Sequence, residues 1–180
     1  KVPFESLQPG TIKMYVCGPT VYDEPHIGHA RSAYIFEVIR RYLQYRGYAV
    51  KFVRNVTDVD DKIIAKASRE YPAEDLNAAC KKVARKYLDS YHQALDSLGI
   101  GVKPPDIVEP KASEYINRMI DFIQVLVARG VAYPAGGDVY FDITKAKNYG
   151  KLSNQSLDKM ESGARVAPTE NKNAPFEVFL

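Results

Sequence analysis

Two short extended runs enclose one long helical stretch near the start of the chain, and that order leaves few folds open. Residues 12–16 alternate apolar and polar, with Ile12, Met14 and Val16 on one side, which reads as a strand. Residues 49–56 are rich in β-branched and aromatic side chains and read as a second strand. Between them a helix is expected from Pro25 or His26 to about Arg46. Ile35, Phe36, Ile39, Tyr42 and Leu43 recur along one face of it, and Gly47 stands where a C-terminal cap belongs. Strand, helix, strand in this length is a βαβ unit with parallel strands and a right-handed crossover. The fold class expected is α/β, opening on an open parallel sheet of the Rossmann-like kind.

Further along, Thr57 or Asp58 can cap a helix whose first turn also holds Asp60 and Asp61. Residues 75–98 predict a long amphipathic helix, with Cys80, Val83, Leu88, Tyr91, Leu95 and Leu98 turned inward and Gly99 ending it. Lys103-Pro104-Pro105-Asp106 reads as a rigid loop. Ser113 can cap a further helix to Arg129, buried through Ile116, Met119, Ile120, Ile123 and Leu126. Residues 131–133 and 139–143 flank a Pro- and Gly-containing turn and read as a β-hairpin. Beyond Tyr149 the chain is polar and turn-rich, with little regular structure expected before Phe176. A domain boundary is expected near residues 104–112.

Composition narrows the class. The 180 residues are 46% hydrophobic and 26% charged, which suits a globular chain rather than a disordered one. No apolar run is long enough to span a bilayer, so no membrane association is expected. The first residues lack the apolar stretch of a signal peptide, and the chain starts without Met, leaving room for residues before Lys1. Two cysteines, Cys17 and Cys80, make no disulfide framework and suit a reducing cytoplasm. A net charge of +3 is too mild to argue for a nucleic-acid partner. The 13 tyrosines show no interleaving with basic residues that would mark RNA stacking.

The chemistry concentrates at His26-Ile27-Gly28-His29, after the first strand and at the start of a helix. Ligands of open α/β sheets bind outside the carboxyl ends of strands. A helix N-terminus there offers free N–H groups and a positive dipole end, which suits phosphate. Two histidines three apart share a helix face, and their ring N–H groups can reach phosphate oxygens and stabilise developing charge. Gly28 leaves room for a nucleotide close to the backbone. A surface pair or part of a metal site is the alternative reading of the same four residues. Asp58, Asp60 and Asp61 could hold magnesium, but first-turn acids commonly serve the helix dipole. Tyr22 and Asp23 border either an amino-acid pocket or a plain surface turn. Cys80 reads as core packing, and His92 as structural. Arg40 with Arg41, Lys81 with Lys82, and Arg85 with Lys86 read as solvated helix faces.

Met14-Tyr15-Val16-Cys17-Gly18-Pro19-Thr20-Val21-Tyr22-Asp23, followed by His26-Ile27-Gly28-His29-Ala30-Arg31, closely resembles the signature of the cysteinyl-tRNA synthetase family. So does Arg54-Asn55-Val56-Thr57-Asp58-Val59-Asp60-Asp61-Lys62-Ile63-Ile64. The similarity continues through Gly150-Lys151-Leu152-Ser153 and Gly163-Ala164-Arg165-Val166, and so covers nearly the whole chain. The resemblance implies the first half of a Rossmann-like catalytic domain over 1–104 and a helical and β-hairpin connective-peptide insertion over 105–180. It implies ATP-dependent activation of cysteine and its transfer to tRNA, with ATP accompanied by magnesium. His26 and His29 become the catalytic pair, and residues 26–29 the nucleotide-binding segment. Gly18, Thr20 and Thr57 become substrate-binding residues, although Thr57 equally suits a helix cap. Cys17 becomes one of four zinc ligands, the other three (a cysteine, a histidine and a glutamate) falling beyond Leu180, as does a Lys-Met-Ser-Lys-Ser loop. A zinc-bound substrate thiolate would separate cysteine from serine, because a neutral hydroxyl is a far poorer zinc ligand. The chain by itself is then expected to bind zinc weakly at best and to be inactive. Two other readings share these motifs: a ligase passing cysteinyl adenylate to an amino sugar, and a non-catalytic binding module.

Overall fold

The computed structural model describes residues 3–101, 107–154 and 178–179. The chain forms two compact units, Lys1–Tyr115 and Ile116–Leu180.

In the first unit, β1 (Thr11–Val16) and β2 (Ala49–Arg54) run parallel, joined by α1 (Ile27–Tyr45). β3 (Ile107–Val108) adds to the other edge of β2, also parallel, giving the order β1-β2-β3. Alternation works as read: Ile12 and Val16 of β1 and Val50 and Phe52 of β2 are buried. Val16, Phe52 and Ile107 form one apolar cluster, and Phe36 of α1 packs against it. Gly47 ends α1 with a φ of 89°, the left-handed conformation a C-terminal cap requires.

The rest of α1 departs from the expected face. Ile35, Ile39 and Tyr42 are exposed, as is Val38, and Leu43 is only half-buried. The buried residues are Ala33, Glu37 and Arg40. Helical periodicity finds an apolar stripe but not which neighbour covers it. Here the buried face of α1 is small and polar, and Ala33 on it meets the long helix α3 (Leu76–Ser97). Ala33 joins Tyr91, Leu95 and Ile100 in a cluster, and Glu37 takes the Nε (2.9 Å) and Nη2 (2.7 Å) hydrogens of Arg40. Arg41 donates to Glu37 at 2.6 Å and to Gly99 O at 2.5 Å. Arg40 is thus a buried partner and not a solvated face residue, its charge tolerated because a bidentate carboxylate meets it.

α2 (Asp61–Glu70) begins after Asp60, whose side chain accepts from Lys62 N–H. Neither Thr57 nor Asp58 is the cap. α2 and α3 enclose the main core, where Val21, Val56, Ile63, Ala67, Val83 and Tyr87 meet. Cys80 and Leu88 lie at its margin, as partly buried core residues. Leu98, expected inside, is exposed, because α3 ends there and Ile100 turns in instead.

In the second unit, α4 (Ile116–Ala128) precedes an antiparallel hairpin of β4 (Ala132–Ala135) and β5 (Asp138–Phe141), and β6 (Val178–Phe179) adds to β5. Gly136 and Gly137 have φ of 61° and 92°, so two glycines make the mirror-image turn that suits strand twist. Tyr140, Ala132 and Ile143 are buried. Ser113 does not cap α4: it lies in a 3-10 turn, Ala112–Glu114, and bonds Asp58 instead. Ile116, Met119 and Ile120 are exposed rather than buried, while Ile123 and Leu126 are half-buried. The 103–106 loop and the segment 155–177 lie outside the described residues.

Candidate active site

The strand pairing of β1 and β2 does not stop where the strands do. Thr57 N–H donates to Pro19 O at 3.0 Å and Val21 N–H to Thr57 O at 3.2 Å, so the turn after β1 runs alongside the exit from β2. Between them Gly18 N–H donates to Asn55 Oδ1 at 2.8 Å. The approach is too close for any side chain at Gly18, since a Cβ there would lie 1.5 Å from the Asn55 carbonyl oxygen. This contact holds Cys17, Gly18, Thr20 and Thr57 on one edge, at the carboxyl ends of parallel strands where α/β sheets bind ligands. Cys17 is exposed and free, while Thr20 and Thr57 are half-buried.

α1 starts at the same end of the sheet as β1 finishes. His26 is its N-cap, with extended backbone, and its Nδ1 accepts from Gly28 N–H at 3.1 Å. His29, three residues on, accepts from His26 N–H through its own Nδ1 at 3.1 Å. The two histidines close a capping box of the kind more usually built from Ser or Thr with Glu, and their rings lie 4.0 Å apart. Neutral rings that accept at Nδ1 carry their hydrogen on Nε2. Both Nε2–H groups are therefore donors at a helix N-terminus, where anions are favoured. Burial first, and then the closeness of His26, push the His29 pKa below its ordinary value, which favours the neutral form of the ring. Gly28 has a local reason to lack a side chain: a Cβ would sit 2.8 Å from His26 Cε1. Ile27 is exposed at the first helical position.

Three sets of contacts hold this edge in place. Asp23 takes Lys66 Nζ at 2.9 Å, and Lys66 lies 4.2 Å from the centre of the Tyr87 ring; Glu24 accepts from Ser90. Tyr22 is half-buried, with Lys62 over its ring. The tie to Lys66 lowers the Asp23 pKa. Asp58 accepts both the N–H (2.9 Å) and the hydroxyl (2.6 Å) of Ser113. At the end of β2, Arg54 is 3% exposed and donates to Glu109 at 2.6 and 3.0 Å, and His92 Nε2 meets the other Glu109 oxygen at 2.7 Å. Burial alone would raise the Glu109 pKa, but the bonds from His92 and Arg54 outweigh it and the pKa is lowered.

Among the described residues, no three His, Cys, Asp or Glu side chains gather as a metal site. Cys17 fits a zinc ion as one sulfur donor at an open edge, and a tetrahedral site needs three donors more. Asp58 and Asp60 are engaged by Ser113 and by the start of α2. No helix is long and apolar enough to cross a membrane, among the described residues. The sequence reading gave Asn55 no role of its own, although it binds Gly18 on one side and Thr57 Oγ1 (3.3 Å) on the other. Its one visible signal is position, as the polar residue directly after the last residue of β2.

The family model of the tRNA synthetases class I (C) catalytic domain matches residues 3–180. The chain is 49% identical over 180 residues to the cysteine–tRNA ligase of Brevibacillus brevis, covering all of this chain and 36% of that protein. It is 46% identical over 180 residues to the cysteine–tRNA ligase of Desulfotalea psychrophila, covering 35% of it. The chain thus spans about a third of the length of the curated relatives it matches. Among solved structures it is similar to one assigned as an arginyl tRNA synthetase from Campylobacter jejuni, with a TM-score of 0.59 and 16% identity over 81% of this chain and 40% of that one. It is also similar to arginyl-tRNA synthetase from Plasmodium falciparum, with a TM-score of 0.53 and 17% identity over 96% of this chain and 32% of that one. At these identities the structural likeness shows the fold, an α/β arrangement shared with class I synthetases.

Proposed function

We infer function from membership: this chain belongs to the family of class I (C) tRNA synthetase catalytic domains, and we propose that it is the opening part of a cysteine–tRNA ligase. The observation that carries the reading is the His26–His29 cap at the start of α1, in which both Nδ1 atoms accept and both Nε2–H groups are left as donors. They stand at the sheet edge that also holds Cys17 and Thr57. The curated relatives that match the whole chain are named as cysteine–tRNA ligases, which favours that activity over transfer to an amino sugar.

In this reading the phosphates of ATP, accompanied by magnesium, meet the N-terminus of α1. The carboxylate of cysteine attacks the α-phosphorus, its oxygen forming the new P–O bond as the bond to pyrophosphate breaks. His26 and His29 donate from Nε2 to phosphate oxygens as charge shifts onto them. Gly28 lets the His26 ring fold over the first turn, and Gly18 lets the Cys17 turn close on β2. The cysteinyl group then passes to the terminal ribose of tRNA, for protein synthesis in the cytoplasm. Zinc, when bound, would distinguish a substrate thiol from a hydroxyl, and Cys17 Sγ is the donor this chain would contribute. The other donors and the remaining tRNA contacts would come from outside these 180 residues.

The test is attachment of labelled cysteine to tRNA by the full-length parent with ATP, the 180-residue chain run beside it. Charging by the parent and none by the short chain is the expected result. A parent that charges no tRNA with cysteine overturns the proposal.

A further inference from the structure

The carboxamide of Asn55 touches both halves of the candidate edge, with a polarity that its neighbours fix. Gly18 N–H can only donate, so Asn55 must turn its oxygen toward it, at 2.8 Å. The NH2 end then faces Thr57 and donates to Oγ1 at 3.3 Å. A hydroxyl that accepts from this side keeps its own hydrogen for another acceptor, and no acceptor takes that hydrogen among the described residues. The backbone of Thr57 is already used, its N–H by Pro19 and its C=O by Val21. Capping does not occupy the side chain either, since Asp60 starts α2.

The surroundings favour an anionic acceptor. The nearby acids are already engaged: Asp23 by Lys66, Asp58 by Ser113, and Glu109 by Arg54 and His92. The same end of the sheet holds donors, at Nε2 of His26 and His29, whose Nδ1 atoms already accept.

We propose that Asn55 is a positioning residue that presets the Thr57 hydroxyl as a hydrogen-bond donor to an oxygen of the substrate's carboxylate or of the acyl phosphate it becomes. This rests on the reading that the edge takes an amino acid and ATP. An aspartate at position 55 would keep the bond to Gly18 but reverse the polarity. Its second oxygen can only accept, so the Thr57 hydrogen would turn inward and a lone pair would face the substrate.

The test uses the full-length protein and amino-acid-dependent exchange of pyrophosphate into ATP. Asn55→Asp raises the KM for the amino acid by about tenfold or more, with kcat within about threefold, because the carboxylate is bound in ground and transition state alike. Thr57→Val does the same, and Thr57→Ser, which keeps the hydroxyl, stays near wild type. The double variant Asn55→Asp/Thr57→Val is no worse than Thr57→Val, since both changes remove one donor. Multiplied effects in the double variant would mean that the new charge at 55 repels the substrate, and would overturn the proposal. So would a wild-type KM in either single variant; Thr57→Val against Thr57→Ser tests the hydroxyl's contact with the substrate by itself, so a wild-type KM in Thr57→Val overturns the proposal even if Asn55→Asp does not fold. The wild-type arm tests the proposed function separately. Exchange driven by a different amino acid overturns the cysteine assignment, and the same variants then test Thr57 with that substrate. A wild type that exchanges with no amino acid overturns both.

Discussion

His29 carries two bonds with opposite ends of one ring, and they can be removed one at a time. Its Nδ1 accepts from His26 N–H, closing the cap of α1, while its Nε2–H is left as a donor. The cap is worth about 1 kcal/mol of stability, and a donor to charge that builds in the transition state about 3 kcal/mol, or 10²- to 10³-fold in rate. His29→Ala loses both, so it melts lower and exchanges pyrophosphate about 10²- to 10³-fold more slowly. His29→Asn is the informative variant, because its Oδ1 stands near the place of Nδ1 and nothing replaces Nε2. It should regain most of the melting temperature lost in His29→Ala and none of the rate. Thermal denaturation and the exchange assay on the full-length protein measure the two effects independently. The acid side gives a further check. The His29 pKa is lowered in the folded state, by burial first and by His26 second. Its neutral form therefore contributes stability above the unfolded value of about 6.5. That contribution is lost as pH falls through the lower folded value, and the Nδ1 acceptor is lost with it. Asparagine does not titrate, so this acid loss should vanish in His29→Asn. Recovery of rate together with stability in that variant would refute the donor role and leave His29 as a cap alone.

Other positions give outcomes of different kinds. Gly18→Ala must push the Cys17 turn off Asn55 by roughly 2 Å, since its Cβ would start 1.5 Å from a backbone oxygen; a misplacement of that size costs about 10²-fold or more in activation, and an unchanged exchange rate would contradict the contact. Glu109→Gln should lower the melting temperature at pH 7, because Arg54 is left buried without its counter-charge. The folded pKa of Glu109 is lowered, so its contribution is complete above the unfolded value of about 4.3 and is lost as pH falls through the folded value; the gap between variant and wild type should narrow below about pH 5, and a gap that stays constant into acid would contradict the linkage. Cys17→Ser in the full-length protein should remove most bound zinc by metal analysis, and unchanged metal content would remove Cys17 from the ligand set.

What could be read from the sequence, and what could not, divides by the range of the interaction. β1, α1 and β2 follow from signals inside each segment: alternation at Ile12, Met14 and Val16, the helical stretch closed by Gly47, and β-branched residues after it. The hairpin at Gly136 and Gly137 is local in the same way. The His26–His29 cap is local too, spanning three residues, and its position after β1 is what makes it a candidate for chemistry. Features that depend on a distant partner behaved differently. Arg40 reads as a solvated helix face and nothing local marks Arg54 for burial; Glu37 on the buried face of α1 accounts for the first, and Glu109, 55 residues away, for the second. Asp58 looks like a helix cap until Ser113 is beside it. Ile35, Ile39 and Tyr42 form a periodic stripe as expected, yet periodicity says nothing about what lies against it, and α1 buries Ala33, Glu37 and Arg40 instead.

Asn55 is the sharpest instance, because its meaning lies in a direction as well as a distance. Its partner Gly18 is 37 residues earlier, and only a backbone N–H, which cannot accept, decides which end of the carboxamide faces which way. That choice passes to Thr57 two residues on and sets whether its hydroxyl gives or takes a hydrogen bond at the sheet edge. A one-atom change, nitrogen to oxygen at Asn55, would reverse it while leaving shape and burial almost untouched. Side-chain volume and helix or strand propensity are blind to that difference, whereas substrate affinity should not be. The role proposed for this edge thus falls to a residue whose own signal in the sequence is only that it is polar and follows a strand.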